Sequence, residues 1–135
     1  MSSWVVGHTD RFKVASIGAP VVDLTSQELT DDIPGFLTSY MRKDPWNDYD
    51  VYDAHSPLHF VGNVKTPVLL QHGDADIRVP FSQGIMFYNA LKRRNVPVRM
   101  LVLPRQPHGP TEPKMIREAM QSNLDWFQKY FGPTI

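Results

Sequence analysis

The sequence predicts an α/β fold, a parallel sheet of at least three strands flanked by helices. Three observations carry that expectation. Apolar runs closed by Gly or Pro recur at 12–20, 66–73 and 96–104, each of strand length. Apolar residues at helical spacing lie between the last two runs and again after the third. Strands that alternate with amphipathic helices form parallel sheets covered on both faces. With 135 residues, 41% hydrophobic and 21% charged, the chain can bury the core of one such domain.

The elements follow in order. "MSSWVVGHTDRF" lacks a basic n-region and a sustained apolar h-region, so it does not read as a signal peptide. "FKVASIGAP" (12–20) reads as a buried strand stopped by Gly18 and Pro20. Residues 23–60 carry less signal. "LTSQELTDDIPGFLTSYMRKDPW" holds one or two short helices, with Ser26 and Thr30 as candidate caps, and "NDYDVYDAHSPLHF" reads as loop and turn.

"TPVLLQHG" (66–73) is a buried strand, opened by Pro67 and closed by Gly73. "PFSQGIMFYNALKRRN" then places Phe81, Ile85, Tyr88 and Leu91 at helical spacing. Lys92, Arg93 and Arg94 occupy its last turn, where cations suit the helix dipole; they mark a helix end rather than a nucleic-acid patch. "VPVRMLVLP" (96–104) is the third strand. Ile116, Met120, Leu124, Phe127 and Phe131 form one apolar stripe on a final helix that stops before Gly132-Pro133.

Composition excludes several classes of function. Fourteen basic and fourteen acidic residues cancel, so no long-range field draws the chain to nucleic acid or an anionic membrane. No apolar run approaches the ~18 residues that span a bilayer. The absence of cysteine rules out disulfides, thiolate metal sites and a cysteine nucleophile. It leaves the compartment open, with the cytoplasm the expected location. There is no internal repeat or low-complexity tract.

The chemistry lies in two loops. In open α/β sheets functional groups collect beyond the carboxyl ends of the strands. There the second strand runs into "DADIRVP" and the third into "RQPHGP", which carries His108. If the two strands are adjacent, the loops sit side by side. An Asp on one and a His on the other make a charge-stabilised general base: the carboxylate fixes the imidazole tautomer and stabilises the imidazolium. Asp then His, 32 residues apart with one helix and one strand between, is the order of the later two triad members in α/β-hydrolases.

The segment "TPVLLQHGDADIRVPFSQGIMFYNALKRRNVPVRMLVLPRQPHGPTEP" resembles the C-terminal end of the prolyl oligopeptidase family of serine peptidases, its acylaminoacyl-peptidase and dipeptidyl-peptidase-like branches above all. That family shows a strand, H-G-x-x-D-x-R-V-P, a helix, a further strand and a P-H-G-like turn. "SSWVVGHTDRFKVASIGAPVVDL" and "HSPLHFVGNVKTP" are similar to its upstream segments, so the resemblance covers nearly the whole chain. It implies a partial α/β-hydrolase fold over 1–135 and a short peptide or acyl ester as substrate. Asp76 would be the catalytic acid and His108 the catalytic base, with no cofactor. Asp74 falls at a variable position and reads as a solvated turn carboxylate.

One part of the pattern is missing. The family's nucleophile lies in G-x-S-x-G-G-x-M-T-x-W, and Met1-Ser2-Ser3-Trp4 lines up with the last four residues of that stretch. No G-x-S-x-G occurs in the 135 residues, and the expected serine falls about five positions before Met1. Both usual sources of the oxyanion-hole amides are missing with it. The resemblance therefore implies the C-terminal half of a catalytic domain, inactive alone. Its first strand would lack a neighbour, which predicts a homo-oligomer or a place for the missing N-terminal half. Three alternatives stand beside this: a non-catalytic self-associating module, a half-enzyme completed by a serine from another chain, and an esterase using Ser2 or Ser3.

Other residues have plainer readings. Arg78 is expected to order the Asp76 loop, and His72 to be packed structurally. His8, His55, His59 and Asp53 lack the spacing of a zinc site. Trp4, Trp46 and Trp126 read as core or interface residues. Tyr49 and Tyr52 lie in a loop that is either solvent-facing or near a substrate pocket.

Overall fold

The computed structural model describes residues 1–132. Three parallel strands, β1 (Ala15–Gly18), β2 (Val68–Gly73) and β3 (Val98–Leu103), form one sheet in the order β1-β2-β3. Val68 pairs with Ala15 on one side and Val98 on the other, and the β2–β3 ladder runs on to Gly73 opposite Leu103. All six residues of β2 are buried, so it opens on the unbroken apolar run Val68-Leu69-Leu70 rather than alternating, and its buried polar residues Gln71 and His72 find hydrogen-bond partners. β1 is shorter than the apolar run that announced it, four residues instead of nine.

Two long helices cover the two faces. α5 (Phe81–Arg93) lays Phe87 and Leu91 against Val68 and Leu70, with Val22, Val64 and Val96 completing that core. α6 (Pro113–Phe131) packs Trp126 over Leu69 and Val14 on the opposite face. A polar tie anchors α6 as well: Gln71 donates to Asn123 at 2.7 Å, and Ser16 on β1 donates to the same side-chain oxygen.

Both helices sit rotated from the expected stripes. The buried face of α5 is Gln83, Gly84, Phe87 and Leu91, and Phe81, Ile85 and Tyr88 are only partly covered. Gln83 turns inward because four partners await it. Its carbonyl oxygen accepts from Val22 and Asp23 N–H at 2.9 Å each. Its amide donates to Asp23 O and to Ser26 Oγ. On α6 four residues of the expected stripe, Ile116, Met120, Leu124 and Phe131, stand open, and only Phe127 packs against the Val14–Leu69–Trp126 cluster; Ser122 and Trp126 are the buried residues. The helix ends at Phe131, with Gly132 at φ 94°, as the sequence indicated; Pro133 lies outside the described residues.

The segment between β1 and β2 is more helical than its sequence suggested. After α1 (Ser2–Val5), which carries Ser2 and Ser3, come α2 (Leu24–Thr30), α3 (Phe36–Met41) and α4 (Tyr49–His55). A 3-10 stretch over Pro57–Asn63 follows. The caps differ from the expected Ser26 and Thr30: Asp23 accepts from Ser26 N–H at 2.8 Å, and Thr30 bonds back to Ser26 O. The supposed loop at 47–60 is helical because Asp48 caps α4 by accepting from Val51 N–H. Tyr52, fully buried, donates its hydroxyl to Lys43 O at 2.9 Å. Glu28 on α2 caps α3 across space, accepting from Gly35 N–H, Leu37 N–H and Thr38 Oγ1 at 2.7–2.9 Å. Trp126 is core, Trp4 stacks on His8 with ring centroids 3.9 Å apart, and Trp46 is exposed.

Candidate active site

The β2–α5 and β3–α6 loops meet at the carboxyl edge of the sheet because β2 and β3 are neighbours. Their approach depends on Gly73. A Cβ there would lie 2.1 Å from Gln106 O and 2.6 Å from Pro107 O, so no other residue lets the loops close. Backbone bonds fasten the contact, Asp74 N–H to Leu103 O and Ala75 N–H to Gln106 O, both 3.2 Å. The Asp74 carboxylate is exposed yet not idle, since it accepts from the N–H of Arg105, a residue held at φ 63°.

Asp76 and His108 come together here. His108 Nδ1 lies 3.1 Å from Asp76 Oδ2, the histidine side chain half exposed and the aspartate fully buried. The other carboxylate oxygen, Oδ1, accepts from Arg78 N–H at 3.0 Å and Val79 N–H at 2.9 Å. A buried carboxylate is tolerated only when hydrogen-bonded in this way. His108 Nε2 has no hydrogen-bond partner among the described residues and is free to exchange a proton. Because Nδ1 faces a carboxylate, it carries the hydrogen, leaving the Nε2 lone pair as the base.

The loop that holds His108 is built around Gln106, which is 1% exposed. Its amide nitrogen donates to Pro104 O and Glu112 Oε1, and its oxygen accepts from Thr111 and Glu112 N–H. Hydrogen bonds from Arg105 first and Gln106 second hold the Glu112 carboxyl below its ordinary range.

Arg78 orders the Asp76 loop, as expected, and does so through a partner outside that loop. Its guanidinium grips Asp32 with two bonds, 2.6 and 3.2 Å, tying the loop to the segment after α2. That fork lowers the Asp32 pKa below the carboxylate range and raises that of Arg78 above its usual value. Only the Arg78 backbone N–H serves Asp76.

A cleft of about 770 Å³ opens beside His108. Ala19, Val21, Ile33, Phe36 and Leu37 give it an apolar wall. Ala19 follows β1 at φ 40°, a strained backbone for alanine. Glu28, by capping α3, holds Phe36 and Leu37 in that wall.

The remaining candidates sit elsewhere. Ser3 is buried and donates to Val21 O at 3.0 Å, and among the described residues no serine hydroxyl hydrogen-bonds His108. His59 comes within 3.5 Å of Asp53, both half exposed. The described residues contain no cluster of three or more His, Asp or Glu able to hold a metal ion. Tyr49 is exposed and Tyr52 is core. Sequence reading missed Gln106, Asp32 and the surroundings of His72, which is completely buried with Nε2 3.2 Å from Asp76 Oδ2. A glutamine in a Pro-rich turn carries no periodicity, and Asp32 lies 46 residues from its partner.

Parallel strands with helices on both faces and an Asp–His pair on neighbouring loops at the carboxyl edge define an open α/β sheet of the kind found in α/β-hydrolases. Comparison with known proteins narrows this further. The family model described as "Prolyl oligopeptidase family" matches residues 1–134. The acylamino-acid-releasing enzyme of Mus musculus is 36% identical over 121 residues, covering 84% of this chain and 16% of its own length. The Sus scrofa enzyme of the same name is 32% identical over 98% of the chain and 19% of its own. Among solved structures, the Pyrococcus horikoshii acylaminoacyl peptidase superposes with a TM-score of 0.90 at 24% identity, over 100% of this chain and 23% of that one. A Mycobacterium tuberculosis puromycin-hydrolyzing peptidase gives 0.84 at 25%, over 94% and 20%. This chain belongs to the prolyl oligopeptidase family of serine peptidases. It spans about a sixth to a fifth of the curated relatives it matches, between 16% and 20% of the length of those compared.

Proposed function

We propose that residues 1–135 are the C-terminal half of a serine peptidase catalytic domain, supplying the acid and the base while a segment outside these residues supplies the nucleophilic serine. The observation that carries this is the 3.1 Å contact between His108 Nδ1 and the buried Asp76 carboxylate, with Nε2 free beside the cleft. In the assembled site His108 Nε2 takes the serine proton as the serine oxygen attacks the substrate carbonyl. Asp76 remains ionised and stabilises the imidazolium. His108 then protonates the leaving amine, and a water, activated by the same nitrogen, releases the acyl group. The oxyanion is stabilised by amides outside this chain.

The substrate follows from the relatives' printed names and from the cleft. An acylated amino acid at the amino end of a short peptide suits the apolar wall of Ile33, Phe36 and Leu37.

The open flank supports the view that another segment completes the site. β1 has one strand neighbour among the described residues. Beside it stand Phe12, Met120, Leu124 and Phe131, 51%, 67%, 44% and 53% exposed. A strand pairing with β1 and a helix covering the α6 stripe would bury both; a second copy of this chain is the competing occupant.

A chimera tests the reading: residues 1–135 replace the matching C-terminal portion of the Pyrococcus horikoshii peptidase. N-acetyl-alanine p-nitroanilide should be hydrolysed by the chimera and by neither its Asp76→Ala nor its His108→Ala form. A folded chimera whose activity ignores both substitutions refutes the assignment.

A further inference from the structure

His72 closes β2 with its side chain completely buried, four residues before Asp76. Its Nε2 is 2.9 Å from Val79 O. A carbonyl only accepts, so Nε2 must carry the hydrogen. The same nitrogen lies 3.2 Å from Asp76 Oδ2, the oxygen that receives His108. The positive end of the N–H dipole is thus set against the carboxylate while its hydrogen is aimed at Val79. Val79 in turn donates its own N–H to Asp76 Oδ1 at 2.9 Å. Val79 therefore stands between two anchors, the imidazole on its carbonyl and the carboxylate on its own N–H, one on each of the peptide units that flank its Cα.

The far side of the ring is as confined as the near side. Nδ1 is buried with no hydrogen-bond partner. A Cβ on Gly84 would lie 2.5 Å from it, so the α5 glycine leaves room for the ring and nothing more. Phe81 packs edge-on at 5.5 Å between centroids. An unpaired ring nitrogen in such a place costs free energy, and a leucine or phenylalanine would fill the same space without that cost. What the histidine offers over either residue is the Nε2–H, set between Val79 O and Asp76 Oδ2.

We propose that His72 is a positioning residue for the Asp76–His108 pair: through Val79 O and its contact with Oδ2 it fixes the rotation of the Asp76 carboxylate, and so the tautomer of His108. This rests on the acid–base reading of those two residues. With His72 in place, Oδ1 is committed to the Arg78 and Val79 amides, and Oδ2 is held toward His108. Without the Nε2–H, the Val79 peptide loses its anchor, the carboxylate turns, and His108 reverts to the Nε2–H form that a free histidine favours. A base with its hydrogen on Nε2 has no lone pair to offer a serine.

The test reads ring tautomers of the full chain by long-range 1H–15N NMR on 15N-histidine protein. In the wild type, His72 is expected as Nε2–H and His108 as Nδ1–H. His72→Phe keeps the ring volume and removes the hydrogen; it should abolish the Nδ1–H form of His108, while His72→Gln, whose amide reaches Val79 O, should restore it. Gly84→Ala pushes the ring without altering it and should cause the same loss as His72→Phe. A folded His72→Phe that keeps His108 as Nδ1–H overturns the inference while leaving the acid–base pair intact, and so does a wild-type His72 found as Nδ1–H, which needs no variant at all. A wild-type His108 found as Nε2–H instead overturns the acid–base reading beneath it.

Discussion

On the α5 side of the sheet Phe87 and Leu91 are fully buried, whereas along the α6 and β1 flank Met120 is 67% and Phe131 53% exposed. The chain treats comparable apolar residues in opposite ways within one small domain. Around the β2–β3 seam the packing is complete and the loop polar groups find partners: Gln83 and Gln106 each make four hydrogen bonds, and Asp76 is held on both oxygens. At β1 the strand is four residues long and the covering helix leaves its apolar stripe uncovered. The seam holds the pair of groups we assign to proton transfer. The flank leaves that apolar surface exposed, which is why we propose that another segment or a second copy covers it.

Five substitutions break or sharpen this contrast. Phe87→Ala empties the closed core and should cost about 3–5 kcal/mol in urea unfolding; a change below 1 kcal/mol would mean that the seam is not the better packed side. Gly73→Ala forces the two loops apart and should cost about 1–3 kcal/mol. Unlike Phe87→Ala, it should also remove the Nδ1–H signal of His108 in spectra of the protein that remains folded. Glu28→Ala removes the cap of α3 at a cost of about 1–2 kcal/mol. Circular dichroism would record the lost helix, and the cleft wall at Phe36 and Leu37 should loosen with it.

Arg78→Ala is expected to act only through pH. Because the folded pKa of Asp32 lies below its ordinary value of 3.8, its ion pair stabilises above that value and is lost as pH falls through the lowered one. Acid unfolding of the variant should therefore begin from a lower plateau and fall less steeply in that window. Identical acid limbs would discount the pair. Met120→Lys on the open stripe should change monomer stability by no more than about 0.5 kcal/mol. A loss as large as that of Phe87→Ala would show the stripe to be internal core.

How well the sequence announced each part follows the same division. The seam was legible because its signals are local: an apolar run ended by Gly73, a helix ended by three cations, and an Asp and a His each just past a strand. The adjacency of β2 and β3 then brought Asp76 to His108. What escaped notice depends on distant partners. Arg78 chose Asp32, made available by the turn after α2, over the nearer Asp76. Glu28 caps a helix other than its own, and α4 was hidden in an apparent loop because its support is one buried tyrosine. The α6 stripe misled most instructively. Periodicity located the helix correctly but could not say which partner its apolar face awaits, since a stripe looks the same whether its cover lies within the chain or outside it.

We propose that residues 1–135 hold the acid and the base while the nucleophile lies outside them. The most direct test is hydrolysis of a chromogenic short-chain acyl ester by the purified chain beside an identically prepared His108→Ala variant. Equal, negligible rates are expected for both. A rate that disappears in the variant would contradict the proposal, because some serine among these 135 residues would then be reaching His108.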